Sequence, residues 1–235
     1  MVKLYLDIGH GGSDSGAIGN GLKEKDLTLK IGKKINELLK SYDGITVKMS
    51  RSTDKTLSLR QRTNEANSWG ADLLLSIHIN AGGGTGFESF IYNGSVQKNT
   101  PKLQNNVHSE IMKVLKGVRD RGKKKANYHM LRESKMPALL TENMFIDTKK
   151  DADQLKKQSF INQVAQGHVN GIVKMYGLKK KKNSKPSKPS KPSTNKGDVF
   201  YRVVAGSFKN RKNADEQVKK LKKQGYDVFI DVYKK

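Results

Sequence analysis

Three short apolar runs in this chain each end on a residue that can bind a metal ion or carry a proton. Leu4-Tyr5-Leu6-Asp7-Ile8-Gly9 delivers His10, and Gly11 and Gly12 follow at once. Leu73-Leu74-Leu75-Ser76-Ile77 delivers His78, and Pro137-Ala138-Leu139-Leu140-Thr141 delivers Glu142. Runs of this length and composition read as buried strands. Open α/β sheets carry their chemistry at the carboxyl ends of the strands, so all three side chains are expected on one rim. The glycines after His10 let the backbone turn tightly there.

The segments between these runs have helical periodicity. A helix beginning near Glu24 places Leu27, Ile31, Ile35, Leu38 and Leu39 on one stripe, and others are expected over about 57–69, 102–115 and 152–176. Further strands are expected at Thr46–Ser50, at Phe87–Tyr92 and, briefly, at Tyr128–Arg132, with a basic loop over Arg119–Lys125. Strands alternating with helices imply an α/β fold with a mainly parallel twisted sheet flanked by helices.

Composition narrows the chemistry. There is no cysteine, so disulfides and thiolate metal sites are excluded and any metal must take His and carboxylate ligands. The N-terminus lacks a basic stretch followed by an apolar core, which predicts synthesis in the cytoplasm without a signal peptide, and no run approaches a membrane span. With 46 Lys+Arg against 22 Asp+Glu, the chain carries +24 and attracts polyanions such as nucleic acid or an anionic cell wall. Residues 179–196 hold eight lysines, no acid and three successive Lys-Pro-Ser triplets, the pattern of an extended linker. The domains are therefore expected at 1–178 and 197–235, joined by 179–196. The second contains a short β-α-β pattern, with strands at Phe200–Phe208 and Tyr226–Ile230 around a helix carrying Ala214, Val218 and Leu221.

Of five histidines, His108 falls in a polar helical stretch and is expected to be solvated. His129 is expected to be structural, and His168 to be a satisfied, partly buried helix residue. His10 and His78 differ because each ends an apolar run at a glycine-containing turn. Glu24 alone is explained by its place in a first helical turn, where a carboxylate is favoured; with the two histidines it completes a candidate three-ligand zinc site, His10, Glu24 and His78. Two imidazoles and a carboxylate leave the fourth zinc position for water, whose proton Glu142 is placed to take. Asn80, close to His78, and Arg132 stand as candidate substrate-binding residues.

Asp7-Ile8-Gly9-His10-Gly11-Gly12, Glu24, Ser76-Ile77-His78-Ile79-Asn80-Ala81 and Thr141-Glu142-Asn143 resemble the zinc-dependent N-acetylmuramoyl-L-alanine amidases of the Amidase_3 type, over roughly residues 1–177. The resemblance implies His10, Glu24 and His78 as zinc ligands and Glu142 as the catalytic acid/base. It also implies cleavage of the amide between muramic acid and L-alanine in the peptidoglycan of a Gram-positive wall. Tyr201–Phe208, Asn213-Ala214 and Gly225–Phe229 resemble one repeat of a SPOR domain. That implies binding of denuded glycan strands and, because one repeat has little core of its own, pairing of two chains. Action on the wall after holin-type release or mother-cell lysis follows from the expected lack of a leader. Two rival readings, a nucleic-acid-binding protein and a non-catalytic wall binder, share the basic charge. The first lacks aromatics interleaved with the basic run; the second leaves the His10, Glu24, His78 and Glu142 set without a purpose.

Overall fold

Parallel strands buried on both faces must be apolar almost throughout, and the first run of the chain meets that demand: in β1 (Val2–Ile8) every residue from Leu4 to Ile8 is buried. The computed structural model describes residues 1–181, 206–225, 228 and 230. After β1 come a two-stranded ribbon, β2 (Ile18–Gly19) and β3 (Leu22–Lys23), then α1 (Glu24–Leu39), β4 (Ile45–Met49), α2 (Leu59–Trp69), β5 (Leu73–Asn80) and β6 (Phe87–Tyr92). The order continues through α3 (Thr100–Val114), β7 (Asp120–Ala126), α4 (His129–Arg132), β8 (Ala138–Phe145), α5 (Lys149–Leu155) and α6 (Gln158–Tyr176). A further helix, α7 (Arg211–Lys223), is N-capped by the Asn210 side chain.

The main sheet runs β4-β1-β5-β8-β6-β7. β4, β1, β5 and β8 are parallel, whereas β6 runs antiparallel to β8 and carries β7 parallel to itself. Leu4, Leu6, Ile8, Leu73, Leu75, Ile77 and Leu139 fill the face covered by α1, α3 and α6. Tyr5, Leu74, Leu140 and Phe90 pack on the other face against Ala66 of α2 and Met130 and Leu131 of α4. Adjacent residues of one strand thus enter different cores, as the two-residue period requires. α2 is closed by a capping box between Ser58 and Gln61 and ends on Gly70 in the left-handed region.

Four expectations change. Arg119–Lys125 is mostly the edge strand β7, an ordinary place for lysines because they discourage pairing with another chain. The strand expected at Tyr128–Arg132 is the single helical turn α4, which sends the consecutive residues Met130 and Leu131 into the same core. The last helix begins earlier, at Lys149, and breaks where Lys157 is extended. On a continuous helix Leu155 and Phe160 would point about 140° apart; the break lets both be buried. Finally, His108 is buried rather than solvated, bonded to Ser89 and Asp120.

By contacts the chain separates into residues 1–183 and 184–235. In the second unit the expected helix is present as α7. The expected linker beyond 181 and the strands expected around 200–208 and 226–230 lie, apart from a few residues, outside those described.

Candidate metal centre and neighbouring carboxylates

β1 ends at Ile8, and two residues later His10 takes φ +60, a left-handed conformation rare outside glycine. The strain is held by two buried arginines. Arg62 of α2 donates to the carbonyls of Ile8 and His10 and pairs with Asp7 Oδ1 at 2.9 Å; Asp7 Oδ2 accepts from the Ser76 hydroxyl. Arg51, just after β4, donates to the Ile8 and Gly9 carbonyls and, through Nη2, to those of Lys25 and the Thr28 hydroxyl. The turn that presents His10 is therefore fastened carbonyl by carbonyl.

Glu24, the first residue of α1, is buried and points its carboxylate between two imidazoles. Oε1 lies 3.2 Å from His10 Nε2 and 3.0 Å from His78 Nδ1. The same oxygen accepts from the Ile79 amide, while Oε2 accepts from the Ala17 amide. His10 Nδ1 meets Asp14 at 2.9 Å, which fixes the ring with Nε2 toward Glu24. One ligand atom from each of His10, Glu24 and His78 falls within 4.8 Å of the others, so the three residues could hold a metal ion. Glycines leave room for this cluster: a Cβ on Gly9 would come within 2.6 Å of the His78 ring, and one on Gly16 within 2.7 Å of both Glu24 and His10.

The electrostatics suit a cation. Burial alone would raise the Glu24 carboxyl, but hydrogen bonds with His10 and His78, and their charge, hold it well below the usual carboxylate range. Burial works to lower His78, yet Glu24 and the negative Glu142 lift it to about 9; His10 is likewise raised against its desolvation, chiefly by Glu24. The pocket thus draws positive charge onto its imidazoles. With oxygen and nitrogen donors only, the set fits zinc.

Glu142 pairs with His78 across β5 and β8 and is opposed by Glu88 across β6. Its Oε2 is buried without a hydrogen-bond partner among the described residues. Burial pushes its carboxyl up to about 7; His78 opposes the shift, and Glu24 and Glu88 reinforce it.

Of the other candidates, Asn80 sits beside this row and donates to Glu88 Oε1 at 2.6 Å. Arg132, on α4, is engaged with Asn127 and Glu133 and does not join the cluster. His129 contacts Thr63 of α2. His168 is fully buried, between the Thr141 hydroxyl and the Val164 carbonyl. Sequence reasoning passed over Asp14, Arg51 and Arg62. Arg62 did leave a signal, because it shares the inward stripe of α2 with Ala66; Asp14 and Arg51 lie in turns with no periodicity to read.

An α/β sheet that gathers two imidazoles and a carboxylate at its strand ends, with another carboxylate in register, has the make-up of a metal-dependent hydrolase. The N-acetylmuramoyl-L-alanine amidase family, Amidase_3, matches residues 4–174, and the SPOR domain matches residues 177–231. The chain is 48% identical over 231 residues to the sporulation-specific N-acetylmuramoyl-L-alanine amidase of Bacillus subtilis (strain 168), covering 98% of this chain and 84% of that one. It is 49% identical over 186 residues to the endolysin of Bacillus phage SPP1, covering 77% of this chain and 69% of the endolysin. The crystal structure of an N-acetylmuramoyl-L-alanine amidase from Clostridium difficile 630 superposes with a TM-score of 0.72 at 36% identity, over 75% of this chain and 97% of that one. The chain belongs to the N-acetylmuramoyl-L-alanine amidase family and is a peptidoglycan hydrolase of that class, with a SPOR domain in its C-terminal part.

Proposed function

We propose that the chain hydrolyses the amide between the lactyl group of muramic acid and L-alanine at a zinc centre held by His10, Glu24 and His78, with Glu142 as the acid/base. The observation that supports this reading is the placement of the Glu24 carboxylate between the two imidazoles, with Glu142 in register beside His78. Zinc, when bound, would polarise the lactyl carbonyl and make a water molecule acidic near neutral pH. Glu142 takes the proton as the water oxygen attacks the carbonyl carbon. When the C–N bond breaks, Glu142 gives that proton to the departing alanine nitrogen, leaving a muramic carboxylic acid and a free amine; the acid's proton then passes to the amine. A carboxyl near 7 can serve in both directions at neutral pH. Asn80, held by Glu88, borders the row as a candidate substrate contact, with Arg132 farther out on α4.

The domain plan follows the same reading: a catalytic domain over 1–178, a linker over 179–196 and a wall-binding unit over 197–235. The family match over 4–174 supports the first of these, whereas the SPOR match, 177–231, takes in the proposed linker together with the wall-binding unit. The C-terminal unit would bind denuded glycan strands and pair two chains. No helix among the described residues is long and apolar enough to cross a membrane. Of the relatives matched over 98% of the chain, one is named sporulation-specific, which favours mother-cell lysis over holin-type release as the route to the wall.

The test is chemical. Purified Gram-positive walls treated with the protein should gain free alanine amino groups in step with loss of turbidity. Chelator should stop both and zinc restore them. New reducing sugar ends without new amino groups would rule the reading out.

A further inference from the structure

The row of side chains at the catalytic rim continues past Glu142. Glu88 lies opposite Glu142, buried, and accepts from Asn80, from Arg121 Nε at 2.8 Å and from Lys124 Nζ. Arg121 and Lys124 are three residues apart, so a regular strand would send them to opposite faces. β7 avoids this with a bulge: Phe87 pairs with Asp120 but Ser89 with Lys123, so that two residues, Arg121 and Gly122, oppose Glu88 alone. Gly122 takes φ +88 there. The bulge turns both cations toward one carboxylate.

The Arg121 guanidinium is fixed on two sides. Its Nε is tied to Glu88, and its Cζ lies over the Phe145 ring, 4.8 Å from the centroid. Its two terminal nitrogens make no hydrogen bond among the described residues, and a quarter of the side chain is exposed. Glu88, Arg121 and Lys124 together carry one uncompensated positive charge. A guanidinium immobilised through Nε and its face, with its outer fork free, is prepared for bidentate contact with a carboxylate.

Resting on the amidase reading, we propose that Arg121, held by Glu88 and Phe145 and assisted by Lys124, is a specificity site for a free carboxylate on the stem peptide, one residue beyond the cleaved amide. In peptidoglycan that residue is D-glutamate linked through its side chain, which leaves an α-carboxyl that is either free or amidated. The spacing agrees. Two strand spacings, roughly 10 Å, separate the backbone of β8 from that of β7, and the Arg121 side chain spans part of this. Two extended stem residues cover about 7 Å. A leaving peptide that starts at Glu142 and runs across Glu88 brings its first carboxylate to the fork.

The experiment compares two soluble muramoyl tripeptides, identical except for D-glutamate or its α-amide at the second position. The full-length zinc-loaded chain should cleave the free acid with a kcat/KM roughly 10- to 100-fold higher, the range of a charge-assisted pair. Arg121→Gln should bring the two substrates within about twofold of each other, mainly through KM for the acid. Arg121→Lys, which keeps the charge but not the fork, should retain part of the preference. Calorimetry of the product tripeptides should show the same ranking without turnover. An acid-to-amide ratio unchanged in Arg121→Gln overturns the carboxylate site while leaving the amidase reading intact. Failure of the wild-type chain to cleave either substrate overturns both.

Discussion

His78 and Glu142 occupy the same register on adjacent parallel strands, with their side chains on the same face of the sheet. One is a candidate metal ligand and the other a buried carboxylate raised toward neutrality, so the proposed roles of metal holding and proton transfer fall on neighbouring strands. The place of His78 also depends on close backbone approach on the β1 side: the Gly9 amide bonds the Ile77 carbonyl, and the His78 ring fills the space above Gly9.

Gly9→Ala should therefore act on the metal. The new methyl would lie 2.6 Å from His78 Cε1 and 2.7 Å from the Ile77 carbonyl, so the ring or the strand must move. Zinc affinity should fall by at least tenfold, at an overpacking cost of about 1–3 kcal/mol. Gly70→Ala is the control: it adds strain at a left-handed cap, φ +65, but has nothing within 4 Å. It should cost about 1 kcal/mol and leave zinc affinity unchanged. Equal zinc affinity in the two variants, measured by competition with a chromogenic chelator, would contradict the steric account.

Arg62→Met should be among the most destabilising single changes in residues 1–181. It leaves Asp7 buried without its ion-pair partner, the His10 carbonyl without its donor and the Ile8 carbonyl with Arg51 alone. Removing one member of a buried pair costs about 3–5 kcal/mol. Ser76→Ala, which takes one hydroxyl from Asp7 Oδ2, should cost about 1 kcal/mol. Denaturant midpoints rank the two, and a cost for Arg62→Met below that for Ser76→Ala would show that the pair does not fasten the His10 turn.

Stability should fall in mild acid because of His168. Burial pushes this imidazole down to about 4, against 6.5 for an ordinary histidine, despite its bond to the Val164 carbonyl. Between these values the unfolded chain takes up the proton more readily, so the contribution is complete above about pH 6.5 and is lost as pH falls toward 4. Its size is on the order of 3 kcal/mol. His10 and His78 have raised values and slope the other way, losing their contribution as pH rises, so the comparison must isolate His168. The difference in unfolding free energy between wild type and His168→Gln should shrink from pH 7 to pH 4.5. A constant difference would mean that His168 takes up its proton equally in the folded and unfolded states.

His10, His78 and Glu142 were readable because each closes an apolar run, and α/β architecture sends such runs to one rim, although β5 continues to Asn80 and β8 to Phe145. Glu24 was readable only in company with them. What surrounds these residues was harder to see. Arg51 and Asp14 act from turns, where no period marks an inward residue. Two strand differences have separate causes: the bulge at Arg121–Gly122 breaks the alternation that would have marked β7, and Tyr128 to Arg132 is too short to distinguish a helical turn from a strand. His108 looked polar by its neighbours, but its helical position puts it against Phe87 and Ser89.

Each of His10→Ala, Glu24→Ala and His78→Ala should reduce bound zinc well below one per chain, since each removes one of three ligands. Metal analysis after gel filtration reads this directly. A variant that keeps a full equivalent of zinc removes its residue from the ligand set.

The separation of roles between the Glu24 cluster and Glu142 is tested most directly by Glu142→Gln, with zinc content and the rate of amide cleavage measured on the same preparation. The glutamine keeps the size of the side chain but cannot take the water's proton. Zinc should remain at one equivalent per chain, while the rate falls about 10²-fold or more. A zinc-free Glu142→Gln would make Glu142 a ligand, and an undiminished rate would deny it the proton; either result contradicts the account.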